Sequence, residues 1–146
     1  MIYLLTLLAT TAAASLAAYA GNRLAFRLMG CRATITVVPW WEEGCKFAAI
    51  LYLPDTRIFT VHFLFGVAEF AHDVRRGESD GLFFPLLTLC GHGLFGSLAL
   101  LAANTTGRIW WAYLAAAAAH ALFNMAVVYA VLPTLGTGPY VRAGRR

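Results

Sequence analysis

Glu42, Glu43, Lys46, Glu69, His92, His120 and Asn124 are the side chains of this sequence whose types and spacing could do chemistry. Glu42 and Lys46 stand four apart and share a face if their segment is helical. Glu43 is rotated from Glu42 by about 100°. One carboxylate can therefore pair with Lys46 while its neighbour stays free to handle a proton, which is what general acid–base chemistry asks of a carboxylate pair. Glu69 follows Phe65 by one turn, with the small residues Gly66 and Ala68 between them. His62, Glu69 and Asp73 share one face, His62 and Asp73 lying near the segment ends, where an interfacial position is expected. His92 sits in Cys90-Gly91-His92-Gly93, and Gly96 comes one turn later, so that helix face is thin. His120 and Asn124 are again four apart, and their imidazole and carboxamide could both donate to a developing oxyanion.

All of these residues fall in apolar surroundings. The chain has 146 residues, of which 60% are hydrophobic and 12% charged. A soluble domain of this size would carry about twice that charge. A charge at the centre of a membrane helix costs roughly 2.5–3.5 kcal/mol on insertion scales, so such groups usually face one another or a water-filled cavity. Four clusters on separate helices read as one convergent site. The alternative is a set of interhelical hydrogen bonds that act as glue, worth about 0.6 kcal/mol each.

The elements that must position these residues read as an all-α, polytopic transmembrane helix bundle of about five spans. They cover Ile2–Ala20, Ala33–Leu53 (interrupted by Pro39 and the Glu pair), Thr56–Ala71, Leu82–Ala103 and Ile109–Leu132. A uniform hydropathy threshold would miss the second and third, because of their charges. Ala18-Tyr19-Ala20 resembles a signal-cleavage site. No Lys or Arg precedes the apolar run, however, so it reads as a retained first helix serving as an anchor. Arg23, Arg27, Arg32, Arg75, Arg76, Arg142, Arg145 and Arg146 fall on one side of this topology, against Arg57 and Arg108 on the other. The positive-inside rule then places the N-terminus outside and the C-terminus in the cytoplasm. The net charge of +4 bears on orientation, and no basic face suited to nucleic acid is present.

Residues 1–133 form a single transmembrane domain, and 134–146 a flexible basic tail. Turns are expected at Pro54-Asp55, Gly77–Gly81 and Asn104–Gly107, with a stop at Pro133. Trp110-Trp111 fit a membrane-interface belt, while Trp40-Trp41 lie deeper and could line the site. Cys31, Cys45 and Cys90 lack metal or redox spacing, and Cys45 and Cys90 read as small buried hydrophobes.

The order of these motifs resembles the PrsW-type intramembrane proteases. Glu42-Glu43-Gly44-Cys45-Lys46 is similar to that family's E-E-x-x-K, Phe65–Glu69 to its F-x-x-x-E, His92 to its isolated histidine in a glycine-containing helix, and His120–Asn124 to its H-x-x-x-N/D. Thr106–Trp110, leading to His120, also resembles the allied CAAX-type (CPBP) proteases. Lys46 and Glu69, in place of Arg and His, favour the PrsW side. The resemblance spans Val38 to Val128, in a chain with fewer helices than family members usually have.

The resemblance implies an endopeptidase of the inner membrane of a bacterial or archaeal cell. Its substrate would be a transmembrane or juxtamembrane protein such as an anti-sigma factor. Glu43 or Glu42 would activate water with help from His92, His120 and Asn124 would stabilise the oxyanion, and Lys46, with Glu69, would hold the Glu pair. Glu43, Glu69, His92 and His120 are the candidate ligands for a catalytic Zn2+, and a metal-free mechanism suits the same residues equally. The scaffold subunit of gamma-secretase, related to this group, implies the other reading, a non-catalytic membrane scaffold that keeps the fold and binds a partner.

Overall fold

A computed structural model describes residues 2–53, 57–76 and 82–131. The predicted turns at Pro54-Asp55 and Gly77–Gly81, Pro133 and the 134–146 tail lie outside these residues. The described chain is all-helical: α1 (Ile2–Met29), a 3-10 segment (Gly30–Ile35), α2 (Val37–Leu51), α3 (Ile58–Arg76), α4 (Phe83–Thr106) and α5 (Ile109–Ala126), which runs into a π-helical turn (Val127–Val131).

Among the described residues, three segments are long and apolar enough to cross a membrane: Ile2–Ile35, Phe83–Thr106 and Ile109–Ala130. The second and third predicted spans do not reach that standard. α2 has 15 residues, about 22 Å at 1.5 Å per residue, against an apolar bilayer thickness of about 30 Å. α3 is longer but carries Glu69, two histidines and a charged last turn of Arg75 and Arg76. Its extension beyond Ala71 places those arginines where the helix dipole favours cations.

The other boundaries have local causes. Pro39 does not interrupt α2; it occupies the first turn, where its missing N–H has no intrahelical partner to lose. α1 continues nine residues past Ala20, so Arg23 and Arg27 sit on a helix rather than in a loop. It ends where Gly30 adopts a φ of 59°. Gly107, at φ 66°, ends α4 with its N–H on the Ala103 carbonyl at 2.8 Å, an αL cap that a side chain would strain.

α3 packs most extensively on α4, α4 on α5, and α1 on α2, with α2 also touching α3 and α5. The apolar core between them is made by Leu7, Ile50, Ile58, Val61, Phe95 and alanines of α4 and α5. Most large residues of α1, such as Leu4, Leu5, Leu16 and Leu24, face outward. Cys31 and Cys90 are exposed, which corrects the expectation that Cys90 is a buried packing residue, while Cys45 is half-buried and packs against the core.

Candidate active site

Glu42 and Glu43 open the second turn of α2, one turn beyond Pro39, and are buried with Lys46 between α1, α3, α4 and α5. Lys46 is fully buried. Its ammonium lies 2.5 Å from Glu43 Oε1, 2.9 Å from His92 Nδ1 and 4.3 Å from the centre of the Phe65 ring. The partner of Lys46 is thus Glu43 at i,i+3, not Glu42 at i,i+4 as its spacing also allowed.

Glu43 is the hub. Besides Lys46, its Oε1 meets His120 Nδ1 at 3.0 Å, and its Oε2 meets His62 Nε2 at 2.7 Å. His62 is buried, not interfacial: Gly96 of α4 has no Cβ to keep it out, and its Nδ1 reaches the Ile58 carbonyl at 2.8 Å. Sequence reasoning had the signal for His62, its shared face with Glu69, but set it at the helix end. Asp73, also expected at an interface, pairs with His72 at 3.3 Å on the exposed side of α3.

Glu42 faces the other way. It accepts a hydrogen bond from Asn22 Nδ2 of α1, and its Oε2 lies 3.8 Å from His120 Nε2. The first helix is therefore more than an anchor: it supplies a site residue that sequence reasoning missed, because Asn22 lies past the apolar run that marked the helix. Asn22 Oδ1 is buried and has no partner among the described residues. Glu69 completes this side, 2.5 Å from His92 Nε2, with its side chain 30% exposed. It is the one member of the Glu/Lys/His set that opens to the outside.

The partners assign the protons. Lys46 ammonium can only donate, so His92 Nδ1 accepts and its proton sits on Nε2, donated to Glu69. Glu43 Oε1 receives both Lys46 and His120, so His120 carries its proton on Nδ1. In the neutral ring the lone pair at Nε2 then points toward Glu42. A carboxylate that fixes an imidazole through Nδ1–H and leaves Nε2 as the working atom is the orienting device of acid–base histidines.

Asn124 is not part of this network. Its Nδ2 donates to the Thr34 carbonyl at 2.9 Å and ties α5 to the 3-10 segment. Trp40 and Trp41 do not line the carboxylates either. With Thr36, Val37 and Tyr113 they line a separate open groove of about 410 Å3. Trp41 also donates to the Ala17 carbonyl of α1 at 3.2 Å.

One donor set on the open side could be tried by a metal ion. Glu42, Glu69 and His92 each offer one atom within 4.8 Å of the others. Only Glu69 and His92 of the four ligands expected from sequence belong to this trio; both oxygens of Glu43 are taken by cationic or N–H donors. The trio fits a cation poorly, because His92 Nδ1 accepts from Lys46. Binding a metal at Nε2 would strip the ring of both protons, whereas metal-bound imidazole normally donates through its other nitrogen.

Comparison of the chain with protein-family models, with curated proteins and with solved structures finds no match.

Proposed function

We propose that the chain is a membrane-embedded hydrolase that cleaves a peptide bond of a membrane-anchored protein with water activated between Glu42 and His120. The observation that carries this reading is the orientation of His120: its Nδ1–H is held by Glu43, and its Nε2 lies 3.8 Å from Glu42, near enough to pass a proton through one water. His92 Nε2–H is committed to Glu69 and holds that carboxylate at the edge of the site. The orphaned Asn22 Oδ1 can accept a substrate amide N–H beside Glu42. Glu69 gives the substrate side, since it is the exposed edge of the set. The resemblance of the four motifs to PrsW-type proteases supports the same reaction class and an integral-membrane location. In this reading α2 and α3 cross with the three longer helices to make five spans, with the C-terminus cytoplasmic and the catalytic groups inside the bilayer.

Full-length protein in nanodiscs, given a model single-span substrate, should cleave it. Glu42→Gln and His120→Ala should each lower the rate by about 10²–10⁴, the range for lost acid–base catalysis. Undiminished cleavage in both variants would sink the proposal.

One observation favours a second reading, a non-catalytic scaffold. Lys46, His62 and His120 saturate Glu43 so fully that the closed part of the network could serve packing alone. A scaffold would show the same loss of stability in Glu43 variants with no turnover in the wild type.

A further inference from the structure

His62-Phe63-Leu64-Phe65-Gly66 of α3 and His92-Gly93-Leu94-Phe95-Gly96 of α4 carry the same H-x-L-F-G pattern. The two copies run antiparallel across one another. A Cβ on Gly66 would lie 2.8 Å from His92 Cβ, and a Cβ on Gly96 would lie 2.8 Å from His62 Cβ. Each glycine therefore receives the histidine of the opposite copy. Phe65 and Phe95, buried beside them, complete the crossing. Phe65 faces Lys46, and Phe95 stacks on the His120 ring at 4.6 Å between centroids.

This crossing delivers two imidazoles to α2 and α3 carboxylates. His92 serves the open side at Glu69. His62 serves the closed side at Glu43, and its two hydrogen bonds require two protons. The Ile58 carbonyl can only accept, so His62 Nδ1 carries a proton. A second proton must lie between His62 Nε2 and Glu43 Oε2, 2.7 Å apart. Among the described residues, Glu42, Glu43 and Glu69 are matched by Lys46 alone of the buried Lys and Arg side chains. A proton placed on this pair reduces the uncompensated charge in an apolar interior, where unpaired charge is expensive.

We propose that His62 is a positioning residue of the site, donating through both ring nitrogens and holding Glu43 in the orientation that fixes His120 as the Nδ1–H tautomer. The chain of contacts is Ile58 carbonyl, His62, Glu43, His120, and it ends at the Nε2 atom beside Glu42. His62 touches no reacting atom and acts through Glu43. The hydrogen-bond assignment stands by itself; its catalytic consequence rests on the hydrolase reading above.

The test is nitrogen-15 NMR of the histidine rings in the full chain in nanodiscs at neutral pH, with backbone-based assignment. Wild-type protein should show a directly bonded proton on both ring nitrogens of His62, and His120 in the Nδ1–H form. A His62 nitrogen without a proton overturns the proposal. In His62→Ala, His120 should redistribute between its two tautomers, and His62→Lys, a donor-only replacement, should restore Nδ1–H. A His120 tautomer indifferent to His62→Ala also overturns it. If the alanine variant does not fold, His62→Gln, which keeps bulk and can donate only as an amide, takes its place with the same expected shift. Should the substrate be cleaved, His62→Gln should lower kcat about 10²-fold with KM unchanged, the scale of a displaced catalytic group. If the wild type cleaves nothing while the ring protons are as described, the hydrolase reading fails and the assignment of His62 stands.

Discussion

Two sides of one helix turn behave differently. On the closed side, Glu43 is enclosed by Lys46, His62 and His120, and α3, which brings His62, crosses α4 closely at Gly66 and Gly96. On the open side, Glu42 has Asn22, a long approach to His120, and Glu69 at the exposed edge. The chemical types are the same, carboxylate and imidazole. The difference lies in how many hydrogen-bond acceptor positions are already used. A saturated carboxylate orients its neighbours, while an under-used one is free to exchange a proton. The closed side therefore carries stability, and in the hydrolase reading proposed above the open side carries the chemistry.

Glu43→Ala is the strongest way to break that contrast. It strands Lys46, His62 and His120 without their common acceptor, and removing one partner of a buried ion pair costs about 3–5 kcal/mol. Denaturant titration in micelles should show a loss of that size; a loss under about 1 kcal/mol would mean that the closed side does not hold the fold. Glu42→Gln should do the opposite. Gln can still accept from Asn22, so unfolding should shift by less than about 1 kcal/mol, the net scale of one hydrogen bond, while cleavage falls by about 10²–10⁴. Equal destabilisation by the two variants would erase the distinction.

Gly66→Ala sharpens the steric half of the comparison. Its new methyl meets His92 at 2.8 Å, and overpacking of that kind costs about 1–3 kcal/mol. Gly44→Ala on α2 is the control. Nothing lies within 4 Å of that Cβ, and the better helix former should gain up to about 1 kcal/mol. The two unfolding curves should move in opposite directions. The smallest effect is expected from Asn124→Ala. It loses one interhelical hydrogen bond, about 0.6 kcal/mol, and should leave cleavage near the wild-type rate, because its amide is committed to Thr34. A large loss of turnover at near-native stability would return Asn124 to the chemistry.

The sequence by itself determined that the chain is helical and apolar, and which polar residues stand at a cost within it. Burying a carboxylate, an ammonium or an imidazole is expensive enough that Glu42, Glu43, Lys46, Glu69, His92 and His120 could be singled out without coordinates, and all six converge. It did not determine their partners. The spacing put Glu42 on the face of Lys46 and turned Glu43 away, yet i+3 and i+4 are both near neighbours on a helix. His62 and His120, from α3 and α5, decide for Glu43. Hydropathy ended the first helix at Ala20, because Asn22 and Arg23 are polar; only the packing of α1 on α2 shows that it continues and that Asn22 reaches Glu42. Asn124 shares a face with His120, yet one turn along that face leads past the carboxylates to the 3-10 segment. Spacing fixes the angle of a side chain around its own helix axis. Which helix stands opposite, and at what depth, is a non-local property of how glycine, alanine and histidine let the helices approach. Only the tertiary structure settles it.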